Sequence, residues 1–237
     1  MISEQEIQEI QENSLSTSLR FKGADFFHPG TTCMVLGCGG IGSHVAYLLN
    51  KQECALIIYD PDMVEIHNVG TQMLGGLNNV GSTKIDAYRH FILNFFEEEP
   101  ANIYIPEFYD EKSLENPYVF SCFDNMKARK TAFEKWCSIE DPDKIFIDGR
   151  MLADQGMIYA IRPGMEEKYK ETLFDDSEVE EGPCSNRATA FCAFFTSSMM
   201  VNIFNNFLSN KRYGDEVKVI PFGIRFVLPI MMIEEIL

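Results

Sequence analysis

Continuous apolar runs alternate with segments of helical patterning from about residue 33 to residue 148 of the chain. Short apolar runs predict buried strands at residues 33–36, 55–59, 102–105, 118–123 and 145–148. Between them, apolar residues that recur at helical spacing predict helices after the first run, from about Lys84, and around Trp136. Strands that alternate with helices form a parallel sheet covered on both faces, and such sheets bind ligands beyond the carboxyl ends of their strands.

The pattern changes after Asp148. Further strands are predicted by apolar runs at residues 157–161, 217–220 and 224–228. A Pro-Phe-Gly turn separates the last two, which indicates an antiparallel pair. The acidic stretch 166–181 predicts a mobile crossover loop. The uncharged run 188–210 has the length of a membrane span, but its many Ser, Thr and Asn side chains favour a buried helix of a soluble protein.

Composition excludes several classes of partner. The formal net charge of −16 argues against a nucleic-acid surface, which needs clustered Lys and Arg, and against an anionic membrane. The N-terminus lacks the basic start and apolar run of a signal peptide. The seven cysteines are odd in number and contain no Cys-x-x-Cys pair, so we expect a reducing, cytoplasmic location.

A glycine-rich stretch follows the first predicted strand, with Gly37, Gly39 and Gly42 at the spacing of a strand-to-helix turn. The first glycine permits the turn, the second lets backbone amides approach a phosphate, and the third lets the helix pack on the strand. We expect the helix to begin near Ser43, with the serine hydroxyl as its cap. The motif alone fits NAD, ATP or a purely structural turn.

Charged residues at other strand ends favour a triphosphate. Asp60 closes the second strand, where its carboxylate can accept hydrogen bonds from ribose hydroxyls. Asp124 follows the fourth strand and would repel a polyphosphate unless a cation lay between them, which indicates Mg²⁺. Lys84, at the start of a helix, can supply positive charge to the phosphates. The alternatives are that Asp124 caps the following helix and that Lys84 is a solvated surface lysine.

Together these features predict one α/β domain with a Rossmann-like doubly wound sheet, parallel in its N-terminal part and antiparallel in its C-terminal strands. A chain of 237 residues, 46% of them hydrophobic, can bury such a core as a single unit. In order, we expect an N-terminal arm, a nucleotide-binding core, the acidic crossover loop, and a C-terminal helix with strands. Their ranges are 1–30, 31–150, 162–186 and 187–237.

Five motifs occur together in one order and spacing. They are Gly37-x-Gly39-Gly40-Ile-Gly42-Ser43, Asp60-Pro-Asp62-x-Val-Glu-x-x-Asn68, Gln72, Gly81-x-x-Lys84 and Asp124-Asn125-x-x-x-Arg129. This arrangement resembles the ThiF/MoeB/ubiquitin-activating superfamily of adenylating enzymes, and most of all the small ThiF-like proteins of bacteria and their phages.

The resemblance implies that the C-terminal carboxylate of a small ubiquitin-like protein or a peptide attacks the α-phosphate of ATP, giving an acyl adenylate and pyrophosphate. It implies that Asp124 holds Mg²⁺, that Lys84 and Asn68 contact phosphates, and that Asp60 binds the ribose. The remaining positions that it assigns to nucleotide binding are Gly37, Gly39, Gly40, Gly42, Asp62, Gln72 and Asn125.

Family members are usually homodimers in which an N-terminal arginine enters the partner's site, and Arg20 is the candidate here, with a surface arginine as the alternative. One departure concerns Thr71, which stands where the family commonly has an arginine. Arg129, Arg150 or Arg187 are the candidates to replace it. If none does, the resemblance leaves a nucleotide-binding scaffold with weak or no activation activity.

Cys184 lies in a Pro-Cys-Ser sequence that resembles the Pro-Cys-Thr element where ubiquitin-activating relatives place their thioester-forming cysteine. A thiol at a helix N-terminus near Arg187 would have its thiolate favoured. The alternative is a small loop cysteine without a chemical role.

The favoured hypothesis is therefore an ATP- and Mg²⁺-dependent adenylyltransferase acting on a protein or peptide C-terminus. An ATP-binding scaffold of the same fold is the second. An NAD-dependent oxidoreductase is disfavoured, because Asp124 and Lys84 have no evident purpose in hydride transfer.

Overall fold

Eight strands form one mixed sheet in the computed structural model, which describes residues 21, 23–96, 99–175, 189–214 and 217–237. The spatial order is β3-β2-β1-β4-β5-β6-β7-β8. The strands span Thr32–Leu36 (β1), Ala55–Tyr59 (β2), Ile103–Ile105 (β3), Tyr118–Ser121 (β4), Ile145–Leu152 (β5), Gln155–Ile161 (β6), Gly223–Val227 (β7) and Met232–Ile236 (β8). Strands β1 to β5 pair in parallel and β5 to β8 pair antiparallel, which confirms the predicted Rossmann-like class.

Helices cover both faces of this sheet. They span Gly40–Lys51 (α1), Lys84–Leu93 (α2), Met126–Ser138 (α3), Glu166–Lys170 (α4) and Ala190–Tyr213 (α5). Successive residues of β1 point to opposite faces, so Val35 packs with α1, α2 and α5 whereas Leu36 packs with α3 and α4. This burial of β1 on both faces explains why its sequence is a continuous apolar run.

Helix α5 is the one helix of the described chain that is long and apolar enough to cross a membrane. In the structure, 61% of its apolar window is buried. Its Ser197 Oγ donates to the carbonyl of Ile41 in α1 at 2.9 Å, and Met200 lies against Gly149 of β5. These contacts are those of a core helix, as the Ser, Thr and Asn content of the run predicts.

The C-terminal hairpin differs from the prediction. Residues 217–220 do not form a strand, and β7 instead pairs with β8, which the sequence pattern did not predict. The cause is that side chains of α5 form hydrogen bonds with the backbone N–H and carbonyl groups that a neighbouring strand would otherwise bind. Asn210 binds both the N–H and the carbonyl of Lys218, at 3.0 and 2.8 Å, and Asn206 donates to the carbonyl of Val219 at 2.9 Å.

The acidic stretch also begins differently, because α4 occupies its first residues. Tyr169 of this short helix is fully buried against α3 and β6, which anchors the helix to the sheet. The mobile loop predicted for this stretch is therefore wrong for residues 166–170. Residues 176–181 lie outside the described part of the chain.

Candidate active site

The glycine-rich turn joins β1 to α1 and packs tightly at two of its positions. Gly37 has φ +90°, and a Cβ there would lie 2.9 Å from the carbonyl oxygen of Cys122. A Cβ on Gly42 would collide with the carbonyl of Gly37. These two glycines are thus required by the backbone itself, which brings the turn against the end of β4.

At the two glycines between them, an added Cβ would make only ordinary van der Waals contacts. A Cβ on Gly39 would have Gln72 Nε2 as its nearest neighbour, at 3.9 Å, and one on Gly40 would lie 3.5 Å from the methyl group of Met151. The described structure therefore leaves room for a ligand beside Gly39. An anion in that space would meet the N-terminus of α1, where backbone N–H groups and the helix dipole favour negative charge.

The predicted capping role of Ser43 is wrong. Helix α1 begins at Gly40, with Gly39 as the N-cap and no side-chain cap. Ser43 lies one turn inside the helix, where its hydroxyl donates to the carbonyl of Gly39 at 2.7 Å and accepts from the N–H of Met73 at 3.0 Å. The serine thus ties the glycine turn to the loop that carries Gln72.

Asp60 follows β2 and is 4% exposed. Its Oδ2 accepts from the N–H of Cys38 at 2.6 Å, and its Oδ1 accepts from the N–H of Asp62 at 2.9 Å. Burial raises the pKa of this carboxyl above its ordinary value, against the opposing effect of Lys84 and of these hydrogen bonds. Asp60 therefore holds the glycine turn in place, and its contact with a ribose stays a prediction.

Lys84 begins α2 and is surrounded by carboxylates. Its Nζ lies 2.6 Å from Asp62 Oδ2 and 3.9 Å from Asp60 Oδ1. Burial lowers the pKa of the ammonium, but Asp60, Asp62 and Asp124 outweigh burial and leave the pKa above its ordinary value. Lys84 is therefore charged at neutral pH and is no solvated surface lysine. We call Lys84, Asp60, Asp62 and Asp124 the lysine cluster.

Asp124 and Asn125 follow β4 and are both exposed. Asn125 is the residue that caps α3, since its Oδ1 accepts from the N–H of Ala128 at 2.9 Å. Its Nδ2 donates to Asp124 Oδ1 at 3.2 Å. The capping role considered for Asp124 thus belongs to its neighbour, and the carboxylate of Asp124 is left at the solvent-facing edge of the lysine cluster.

Asn68 and Gln72 lie in the loop between β2 and α2. Asn68 is buried, and its Oδ1 accepts from the N–H of Glu65 at 2.8 Å. Its Nδ2 is the group that could donate to a phosphate. Gln72 Oε1 is buried and accepts no hydrogen bond from the described part of the chain. Thr71 Oγ1 donates to the carbonyl of Asn68 at 3.4 Å.

Two of the three arginines considered as replacements at position 71 are engaged elsewhere. Arg129 Nη1 donates to Asp148 Oδ1, and Arg150 Nε donates to Asp148 Oδ2 at 2.7 Å. Burial raises the pKa of Asp148, but Arg129 and Arg150 outweigh it and hold the pKa below its ordinary value. Sequence reasoning assigned no role to Asp148. We call these three residues the arginine cluster.

The predicted site residues are thus partly gathered at one place. The carboxyl ends of β1, β2 and β4 bring the glycine turn, Asp60 and Asp124 together beside Lys84. Arg20, Cys184 and Arg187 lie outside the described residues.

The donor groups suit a nucleotide with a divalent cation. A Cβ added to Gly39 would meet only Gln72 Nε2, at 3.9 Å, and the Oε1 of the same side chain is buried without a hydrogen-bond partner in the described part of the chain. Within the described residues no three His, Cys, Asp or Glu side chains converge on a metal position. One exposed carboxylate, Asp124, nevertheless fits Mg²⁺, because this ion is commonly held by one or two carboxylates together with substrate phosphates and water.

Comparison with known proteins gives a family and a fold. The ThiF family model matches residues 30–227. No curated protein matches the chain significantly by sequence.

Similar solved structures include that of MccB from E. coli with ATP, at 18% identity and a TM-score of 0.65 over 89% of this chain and 64% of that one. The microcin C7 biosynthetic enzyme MccB in complex with N-formylated MccA has 16% identity and a TM-score of 0.62 over 86% and 64%. PaaA has 17% identity and a TM-score of 0.61 over 86% and 63%. The chain thus spans just under two thirds of these proteins, and the likeness shows a shared fold.

Proposed function

This chain belongs to the ThiF family, and from that premise we propose that it is an ATP-dependent adenylyltransferase that activates the C-terminal carboxylate of a peptide or small protein. The observation that carries the proposal is the lysine cluster, a charged lysine and three carboxylates beside an open glycine turn at the N-terminus of α1. The structures of MccB with ATP and with MccA support it from the same fold.

The chemistry requires charge neutralisation and no nucleophile from the enzyme. A carboxylate oxygen of the acceptor forms a bond to the α-phosphorus of ATP while the bond to the bridging oxygen breaks, and pyrophosphate leaves. Gly39 and Gly40 would offer backbone N–H groups to the phosphates, and Lys84 would supply positive charge. The side chain of Asp62 is 57% exposed, so its pair with Lys84 can open toward a phosphate without burying an unpaired charge.

Asp124 would hold Mg²⁺, which when bound offsets the negative charge of the phosphates. Asp60 keeps its place by accepting two backbone hydrogen bonds and so fixes the turn that faces the nucleotide. Gln72 would donate from Nε2, the side-chain atom that lies toward Gly39, to a phosphate oxygen.

The acceptor and the assembly are finer parts of the proposal. The matched complexes of MccB with MccA favour a peptide acceptor over a ubiquitin-like protein. We propose a cytoplasmic homodimer in which Arg20 of one protomer completes the site of its partner. Such an arginine would supply the positive charge that is missing at position 71, where this chain has a threonine.

The second candidate is an ATP-binding scaffold without activation activity. It is favoured by the engagement of Arg129 and Arg150 with Asp148, since neither guanidinium is free to replace the arginine absent at Thr71. The scaffold would bind ATP and the acceptor without forming an adenylate.

ATP–pyrophosphate exchange separates these two functions. We expect exchange that requires Mg²⁺ and an acceptor with a free C-terminus, and that is lost in Asp124→Ala. Asp143→Ala is the matched control, because Asp143 is an exposed carboxylate that precedes β5 at the opposite end of the sheet. Binding of ATP without exchange for any peptide or ubiquitin-like acceptor would favour the scaffold, and absence of ATP binding would overturn both functions.

We propose a thioester on Cys184 as a second step of the same reaction, in which the thiolate attacks the acyl carbon and AMP leaves. We expect a thiol-sensitive conjugate with the acceptor that is absent in Cys184→Ala and present in Cys137→Ala, Cys137 being a partly exposed cysteine of α3. Adenylate formation without such a conjugate would exclude this step.

A further inference from the structure

The arginine cluster contacts the backbone next to Asp124. Arg129 Nη2 donates to the carbonyl oxygen of Phe123 at 2.5 Å, and Phe123 directly precedes Asp124. The same guanidinium donates through Nη1 to Asp148 and to the carbonyl of Gly149, the latter at 3.3 Å. Arg129 thereby joins the loop after β4 to the middle of β5.

From these contacts we propose that Arg129, oriented by Asp148, is a positioning residue that fixes the backbone carrying Asp124. This inference rests on the proposed function, in which Asp124 holds Mg²⁺. Arg129 itself touches neither the lysine cluster nor the space beside Gly39 in any described contact.

The contact between Arg129 and Asp148 is buried. Arg129 is 4% exposed and Asp148 is 0% exposed, so each charge depends on the other to offset its desolvation. The planar guanidinium reaches a carboxylate and two carbonyls at once, which an ammonium on a flexible stem cannot do with the same geometry.

Asp124 needs such support because few side-chain hydrogen bonds hold its own carboxylate. The one side-chain hydrogen bond described for Asp124 comes from the exposed amide of Asn125, at 3.2 Å. The direction of its carboxylate is therefore set mainly by the backbone between Phe123 and the cap of α3. A shift of that backbone would move the carboxylate relative to Lys84.

Arg150 provides a matched comparison within the same cluster. It also binds Asp148, but its other two donors go to the carbonyl and the hydroxyl of Thr172, at 2.8 and 3.0 Å. Arg150→Lys therefore disturbs the same buried carboxylate without touching Phe123. Arg129→Lys keeps the positive charge and removes the fork that holds the Phe123 carbonyl.

The first measurement is amide hydrogen exchange without ligand, over peptides that cover residues 121–128 and 169–173. We expect Arg129→Lys to raise deuterium uptake in the first peptide and Arg150→Lys to raise it in the second. Equal uptake changes in both peptides for both variants would indicate a general structural role and overturn the proposal, as would unchanged exchange at 121–128 in Arg129→Lys.

The second measurement is calorimetric binding of the ATP analogue AMPCPP with and without Mg²⁺. We expect Arg129→Lys to lose about tenfold of the affinity gained from Mg²⁺, while metal-free binding stays unchanged and Arg150→Lys stays close to wild type. Loss of metal-free binding to the same extent would overturn the proposal.

Two further outcomes are distinguishable. If wild-type protein gains no affinity from Mg²⁺, the metal site of the proposed function fails, and the exchange data alone decide whether Arg129 fixes the loop. If Arg129→Lys does not fold, wild-type exchange decides: residues 121–128 should exchange as slowly as β5 does, and uptake as fast as in the surface loop 107–115 would overturn the proposal.

Discussion

Two buried carboxylates at the carboxyl end of the sheet have opposite electrostatic surroundings. Asp60 is 4% exposed and shares one lysine with Asp62, and burial raises its pKa. Asp148 is 0% exposed and has an arginine on each oxygen, and these outweigh burial and lower its pKa. Similar burial therefore gives opposite shifts, because the number and distance of the cations differ.

The difference separates the arginine cluster, which is closed to ligands, from the lysine cluster, which is open to them. In the arginine cluster every charged group has a buried partner, so it stabilises the fold and has no charge to offer a ligand. In the lysine cluster three carboxylates surround one ammonium, and Asp62 and Asp124 face solvent. Excess negative charge beside an anion-binding helix N-terminus suits a ligand that brings its own cation, as Mg²⁺ with ATP does.

The largest effect is expected from removing the central charge of the closed cluster. Asp148→Asn leaves two buried guanidinium groups without a counter-charge and should lower the free energy of unfolding by about 3–5 kcal/mol. Urea unfolding measures this value. Asp60→Asn is the control and should cost at most about 1 kcal/mol, because burial opposes the charge of the Asp60 carboxylate and raises its pKa, and an amide oxygen can still accept a backbone hydrogen bond. Equal losses in the two variants would contradict the distinction between the clusters.

In the open cluster, substitution should affect catalysis more than folding. Lys84→Met keeps the apolar stem and removes the charge, so ATP–pyrophosphate exchange should fall by about 10²–10³-fold. The unfolding midpoint should change less than in Asp148→Asn, because Asp62, the nearest partner of Lys84, has a side chain that is 57% exposed and stays hydrated. Lys112→Met, on an exposed loop, is the control for a general loss of positive charge. Full exchange activity in Lys84→Met would remove Lys84 from the proposed machinery.

The glycine turn allows a test that separates folding from binding within three residues. Gly39→Ala adds only an ordinary contact with Gln72, so the fold should be kept while the affinity for ATP falls by about tenfold. Gly37→Ala meets both a φ of +90° and the Cys122 carbonyl, so it should destabilise the fold itself. Thermal unfolding and calorimetry on both variants check this order. Unchanged ATP binding in Gly39→Ala would exclude this turn as the phosphate site.

Most of the open cluster could be predicted from sequence. Asp60 and Asp124 directly follow apolar runs, and Lys84 begins an amphipathic stretch, so the rule that parallel strands end at one edge brings them together. The family and the fold class were confirmed. What stays a prediction is the contact of each residue with a ligand.

The closed cluster and the C-terminal hairpin could not be predicted in the same way. The pairing of Arg129 with Asp148 depends on how α3 lies over β5, and a sequence pattern carries no such distance. Residues 217–220 are apolar enough for a strand, but Asn206 and Asn210 bind their backbone. Strand β8 was not predicted because Glu234 and Glu235 interrupt the alternation of apolar and polar residues that indicates a strand.

The smallest expected effect is a difference in pH dependence, and it tests the comparison most directly. The ordinary pKa of an aspartate is 3.8 here. The pKa of Asp60 in the folded protein is raised above 3.8. The stability that Asp60 contributes is therefore present below pH 3.8 and is lost as pH rises through its folded pKa. The folded pKa of Asp148 is lowered, so its contribution is present above 3.8 and is lost as pH falls through the folded pKa.

Urea unfolding between about pH 3 and pH 7 should therefore show that Asp60→Asn gains stability relative to wild type as pH rises, whereas Asp148→Asn loses stability relative to wild type. Parallel curves for the two variants would mean that the two carboxylates have the same surroundings, and the division into an open and a closed cluster would fail.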